Sequence, residues 1–370
     1  MTASAASIGA APRRRKRITI EQIIELYEDA QRCATAAGLR YVSTDEPGIR
    51  RLRRGKGFSY VGADKKVVTA EVRLRINALA IPPAWKDVWI CAFEDGHLLA
   101  IGNDERGRRQ YRYHESWRSF RDLLNFYRLV DLGPRLPRIR AEVATQLRRR
   151  TLDRDQVLAA MLRIVDSCGL RVGSEEYAEE NASYGLSTLT KKHVRVVGGS
   201  VLFDFPAKSG KQAQVTLHDR AVARIVSALL QQPGRRLFTV AGSPIGADEL
   251  NVRLGQLAGA RVTAKDFRTW HGTRVAFASL RAHLPPSDVA STREQRVLNA
   301  VDAASEFLNN TRSVARAHYV HPHVVEAYLD ESFGELLAAR RPPRTPGLDA
   351  DERALIGFLG TLLASRLHAL

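Results

Sequence analysis

The sequence predicts an α+β protein, with a small strand-rich domain over about residues 19–115 and a larger, mainly α-helical domain over about 119–370. Three observations predict it. The chain has 370 residues, of which 44% are apolar, enough for two cores. Apolar residues alternate with a period of two in short runs between Val88 and Tyr113. From Ser116 onward the period lengthens to that of a helix, with a single strand-like island near 194–217.

Residues 1–18 belong to neither domain. Small residues lead into the run Arg13-Arg14-Arg15-Lys16-Arg17, a disordered basic tail that either grips phosphates without specificity or is a solvated extension with no role. Its charge follows the small residues and precedes no apolar stretch, unlike a secretory signal. Thr19-x-x-Gln22 forms a capping box before Ile20, Ile23, Ile24 and Tyr27, so a helix opens at Thr19 and runs to Gly38. A short helix is expected at 69–79. Val88–Ala92, Leu98–Ile101 and Arg109–Tyr113 read as strands joined by turns at Asp95-Gly96 and Asp104–Gly107. The helices expected next are 116–130, 137–149, 153–168, 174–183, 219–231, 246–257, 264–282, 292–308, 312–319, 323–330 and 351–368. Within the island, Val194–Val197 and Val201–Phe205 form a hairpin, and Lys208-Ser209-Gly210-Lys211 turns into a third strand, Gln214–Leu217.

Composition narrows the function. Lys and Arg number 57 against 40 Asp and Glu, a net charge of +17. Such an excess calls for a polyanionic partner, nucleic acid before an anionic membrane. No run of 18 apolar residues exists to span a bilayer. Cys33, Cys91 and Cys168 are odd in number and far apart, which argues against a disulfide scaffold or a thiolate zinc site and fits a reducing cytosol. Lys208-Ser-Gly-Lys211 lacks the frame of a P-loop, no GxGxxG follows a strand, and His321-x-His323 flanks Pro322 as a helix-start feature. Neither a nucleotide nor a metal cofactor is expected.

Several polar groups then stand out. In the strand at 109–113, Arg109, Tyr111 and Tyr113 share one face, while Arg108, Gln110 and Arg112 share the other. These residue types suit phosphates and base edges, or equally an exposed strand with partly packed tyrosines. Arg171 lies between a helix ending at Gly169 and another capped by Ser174, where it could fork onto a phosphate or lie on the surface. Lys208 sits at a hairpin tip, able to swing into a site or simply to be solvated. Thr263 and Asp266 form a capping box, yet Lys265 and Arg268 place two cations at the positive end of the same helix. That conflict suggests a bound anion. Thr311 caps a short helix that Pro322 ends, with Tyr319 in its last turn.

The order Arg171, Lys208, Lys265-x-x-Arg268, Asn310, Tyr319 resembles the type IB DNA topoisomerases, in particular their bacterial and poxvirus-like branch. Further segments carry the resemblance: Ile81-Pro82-Pro83-Ala84-Trp85-x-x-Val88-Trp89-Ile90, Gly107-Arg108-Arg109-Gln110-Tyr111-Arg112-Tyr113-His114, and Arg171-Val172-Gly173 with Asn181-x-x-Tyr184-Gly185-Leu186. It covers nearly the whole chain after the tail. It implies Tyr319 as nucleophile, Arg171 and Arg268 as phosphate clamps, Lys208 as general acid and Asn310 as a further catalytic group. It implies DNA contacts from Gln110, Tyr111, Tyr113, Tyr177 and Lys265. The implied fold is a C-shaped clamp around duplex DNA, with a catalytic domain related to tyrosine recombinases. The implied activity is relaxation of supercoiled DNA through a 3′-phosphotyrosyl intermediate, without ATP or metal, by a monomer in the nucleoid-bearing cytoplasm. One departure is Ala207, where relatives commonly carry Gly, which bears on the Lys208 tip. A tyrosine recombinase would usually have His-x-x-Arg in place of Lys265-x-x-Arg268 and a helical front domain. A non-catalytic DNA clamp would have lost one of the four central residues.

Overall fold

A computed structural model describes residues 19–176, 178 and 182–366. The basic tail, Tyr177 and Asn181 lie outside the described residues. The described residues divide into two compact units: one takes in 19–121 and 363–366, and the other lies within Asp122–Leu362.

The first unit opens with α1 (Ile20–Glu28) and α2 (Ala30–Ala36). The capping box forms as expected: Thr19 N–H donates to Gln22 Oε1 at 2.9 Å and Gln22 N–H to Thr19 Oγ1 at 3.3 Å. The single helix expected up to Gly38 is broken at Asp29. Its carboxylate accepts from the backbone of Gln31 and Arg32 at 3.0 and 2.9 Å, and so starts a second helix. After α3 (Ala70–Ala78), capped by Thr69, the expected three strands are part of a larger sheet. It comprises β1 (Ile49–Arg54), β2 (Gly57–Val61), β3 (Lys86–Ile90), β4 (Leu98–Asn103) and β5 (Arg109–Tyr113), in the order β2-β1-β3-β4-β5. Sequence periodicity misses β1 and β2 because Arg50, Arg51, Arg53 and Arg54 mask the alternation. Arg51 stays in the sheet by donating to the carbonyls of Pro82 and Trp85 at 3.1 and 2.5 Å. Ile49, Ile76, Val88, Ile90 and Ala100 form one core cluster, and Val42, Cys91, Leu98 and Ile101 a second.

The division falls within α4 (Glu115–Tyr127). The second unit continues with α5 (Leu129–Arg148) and α6 (Arg154–Cys168). Here α5 runs through Pro134 and Pro137, where the sequence predicts a break and a start at 137. Burial of Leu129, Leu132, Leu136 and Ile139 on one face offsets the backbone bonds that the prolines remove. The strand island is an antiparallel sheet of β6 (Val194–Val197), β7 (Ser200–Pro206) and β8 (Gln212–His218). Then come α7 (Arg220–Leu230), the two-residue strands β9 (Thr239–Val240) and β10 (Ser243–Pro244), α8 (Ala247–Ala258), α9 (Ala264–Arg281) and α10 (Ala290–Phe307). The unit closes with α11 (Arg312–His318), α12 (Pro322–Leu329), α13 (Phe333–Ala338), which the sequence does not foretell, and α14 (Ala350–Arg366). At the centre stands α9, buried on every side from Asp266 to Thr273. Among the described residues, no helix is long and apolar enough to cross a membrane.

Candidate active site

Within the second unit, Arg171, Lys208, Lys265, Asn310 and Tyr319 line one cleft of about 420 Å³. Four separate pieces of chain meet there, and local chemistry sets each of them. Arg171 follows the αL cap at Gly169, on a connector pinned at close quarters. Gly173 has φ +91°, and a Cβ on it would lie 2.9 Å from Gly185 Cα. Leu186 N–H donates to Arg171 O at 2.8 Å and Ser187 N–H to Val172 O at 2.7 Å. Tyr184 N–H in turn donates to Pro206 O at 2.8 Å, which ties the connector to the strand that delivers Lys208.

Lys208 is exposed at the β7–β8 tip, which closes through Ala207 N–H donating to Lys211 O at 2.7 Å. Ala207 has φ −101° and ψ −178°, extended backbone that any residue adopts, so alanine serves there as well as glycine. Asn310 is buried. Its Oδ1 accepts from Arg171 Nη2, and its Nδ2 has no partner among the described residues.

Lys265 and Arg268 share the first turns of α9, where Asp266 closes the expected capping box. Its Oδ2 accepts from Thr263 N–H at 2.8 Å and pairs with Arg128 at 3.2 Å. The two cations nonetheless differ in setting. Lys265 is exposed on the cleft, whereas Arg268 is 4% exposed and lies behind Tyr319, its guanidinium carbon 4.8 Å from the ring centroid. Arg268 donates to the carbonyls of Gly169 and Leu308, and its Nε is buried with no partner among the described residues.

Tyr319 caps the C-terminus of α11. Burial alone would raise its pKa, but the charge of Arg268, then of Arg171 and Lys265, holds the phenol below its ordinary range. Two orphaned donors, Arg268 Nε and Asn310 Nδ2, are unusual inside a protein.

Comparison with known proteins places the chain in a family. Residues 114–335 match the catalytic core of eukaryotic DNA topoisomerase I, and residues 57–104 match the N-terminal domain of bacterial DNA topoisomerase IB. The chain belongs to the type IB DNA topoisomerases. A DNA topoisomerase 1B of Acanthamoeba polyphaga mimivirus is 31% identical over 76% of this chain and 87% of its own length. One from Vaccinia virus (strain Copenhagen) is 21% identical over 65% of this chain and 76% of its own.

The topoisomerase also has residues in and behind the cleft that sequence reasoning missed. Lys211 reaches across from the hairpin tip, its Nζ donating to Asn310 O at 2.5 Å, and so latches the Lys208 tip to the Asn310 loop. A second lysine three residues after Lys208 was the available signal. Gly272 lies inside α9, where glycine costs about 1 kcal/mol against alanine, and that cost was the signal for a close approach. In the first unit, Tyr111 and Tyr113 are exposed and stacked with centroids 5.8 Å apart. Gln110 is half-buried on the opposite face, donating to Asp104 Oδ2 at 3.0 Å, so these three are not gathered on one surface. The His321-x-His323 pair is indeed a helix-start feature, with His321 Nδ1 accepting from His323 N–H at 3.3 Å.

Proposed function

We propose that this topoisomerase relaxes supercoiled duplex DNA by transient cleavage of one strand, with Tyr319 as the nucleophile. One observation carries the reading: Arg171, Lys208, Lys265 and Asn310 line one cleft with Tyr319, whose pKa the charges of Arg268, Arg171 and Lys265 hold down. A tyrosine is ordinarily protonated at neutral pH, its pKa being near 10. Cations around Tyr319 favour the phenolate. Its oxygen attacks the phosphorus in line, forming the O–P bond of a 3′-phosphotyrosyl enzyme as the bond to the 5′-oxygen breaks. Arg171, Arg268 through its spare donors, and Asn310 Nδ2 stabilise the charge on the non-bridging oxygens. The leaving 5′-alkoxide takes a proton from Lys208, help worth roughly 10²–10⁴-fold. Religation reverses the step. The phosphodiester energy stays in the tyrosyl bond, so ATP is not required and no metal is invoked.

DNA contacts from Tyr111, Tyr113, Gln110, Tyr177 and Lys265 belong to the same proposal. So do the domain limits 19–115 and 119–370, the relation to tyrosine recombinases and a C-shaped clamp on the duplex. The domain limits rest on the change of period near residue 116 and on the family resemblance, and the rest on the resemblance alone. One chain supplies the whole catalytic set, which supports action as a monomer, and the placement on the nucleoid in the cytoplasm follows from the DNA substrate.

The test separates Lys208 from the arginines. Lys208→Ala should slow single-turnover cleavage severely on a normal phosphodiester. It should regain most of the rate when the bridging 5′-oxygen is sulfur, because a thiolate with a pKa near 8.5 leaves without a proton. Arg171→Ala and Arg268→Ala should gain little. Equal gains for all three variants would remove Lys208 from the general-acid role and make Lys265 the next candidate.

A further inference from the structure

We infer that Thr273 is a positioning residue that fixes the Tyr319 backbone for attack. The inference rests on the reading of Tyr319 as the nucleophile. Tyr319 follows a helix of only seven residues, and α12 begins three residues later. So short a helix cannot by itself hold the backbone that aims the phenol. The hold comes from α9. Thr273 is fully buried, and its single hydroxyl is used in both directions: Oγ1 donates to Tyr319 O at 3.1 Å and accepts from His321 N–H at 3.1 Å. The two bonds bracket the nucleophile on its C-terminal side. Gly272 brings the segments together, since a Cβ there would lie 2.6 Å from Tyr319 O and 2.9 Å from Tyr319 Cβ. Arg268, one turn earlier on the same helix, lies over the ring. A single rigid helix therefore sets both the backbone and the charge around the phenol.

A hydroxyl that both donates and accepts can be replaced by serine but not by valine, which has the same shape and neither function. Loss of both bonds frees the segment to shift, and a displacement near 1 Å in a reacting group costs on the order of 100-fold.

The experiment measures single-turnover covalent adduct formation on saturating duplex, with DNA affinity and thermal unfolding measured alongside. Thr273→Val should form adduct 10- to 100-fold more slowly while binding DNA as the parent does. Thr273→Ser should recover most of the rate. A 5′-bridging sulfur should leave the valine defect in place, because the fault lies in the nucleophile and not in the leaving group. If valine prevents folding, Thr273→Cys keeps the volume with a much weaker donor and acceptor and carries the same expectation. A folded valine or cysteine variant cleaving within twofold of the parent would overturn the inference. Tyr319→Phe run in parallel separates the two failures: an adduct persisting there overturns the nucleophile itself, whereas its loss beside an unimpaired Thr273→Val overturns the positioning role alone.

Discussion

Replacing Asp166 with asparagine should destabilise the catalytic unit in a way that fades at acid pH. Asp166 on α6 belongs to a buried charge network. Arg140 on α5 donates to it at 2.7 and 2.9 Å, and to Glu352 on α14 at 2.8 and 2.7 Å. His271 Nε2 on α9 lies 3.3 Å from Asp166 Oδ1, and Trp270 Nε1 donates to Glu352 at 3.3 Å. The network thus braces α6, which leads into Arg171, against α9, which carries Arg268. Removing one member of a buried pair costs about 3–5 kcal/mol. Glu352 still faces Arg140, so the lower end applies, about 3 kcal/mol. For a unit of this size each kcal/mol moves Tm by about 2–4 °C, so a fall of roughly 6–12 °C is expected at neutral pH. Burial alone would raise the Asp166 pKa, but His271 and the Arg140 guanidinium hold it far below the ordinary carboxylate range, and Arg140 does the same for Glu352 against its own burial. A depressed pKa adds stability above the unfolded value near 4, and that stability is lost as pH falls through the folded value. The gap between parent and variant should therefore hold steady down to about pH 5 and narrow below pH 4. Differential scanning calorimetry across pH measures it. A neutral-pH difference under about 1 kcal/mol, or a gap that widens with acid, would refute this account of the network.

Two further outcomes follow. Gly272→Ala removes a helix-interior glycine, a gain of about 0.5–1 kcal/mol, yet overpacks the Tyr319 segment at a cost of about 1–3 kcal/mol. Its unfolding midpoint should move little while single-turnover cleavage drops on the order of 100-fold, and parental cleavage would show that the close contact is idle. With a net charge of +17, DNA affinity should fall steeply with salt. If about 6–10 phosphates are neutralised, the loss between roughly 50 and 200 mM is about 10³–10⁵-fold, and a flat titration would assign the basic excess another purpose.

Much of this was legible because the chemistry is local. The Thr19–Gln22 and Thr263–Asp266 capping boxes and the hairpin carrying Lys208 are written in adjacent residues. The two cations at the start of α9 stand out in the sequence because they oppose the helix dipole. What stayed hidden depends on contacts distant in sequence. Arg51 of β1 finds carbonyls more than thirty residues away, and α5 keeps its helix through two prolines by burying an apolar face. Lys265 and Arg268, three residues apart, read as equals, yet one is exposed and the other lies behind the tyrosine. Thr273 carried no sequence signal at all, because its importance lies in carbonyl and amide groups 46 and 48 residues ahead.

The most direct test of the central claim maps the covalent bond. Duplex DNA cleaved under conditions that block religation should leave an adduct that proteolysis and mass spectrometry assign to Tyr319, attached to a 3′-phosphate beside a free 5′-hydroxyl. Tyr319→Phe should bind the same duplex and form none. An adduct on another residue, attachment to a 5′-phosphate, or an adduct persisting in Tyr319→Phe would contradict the account.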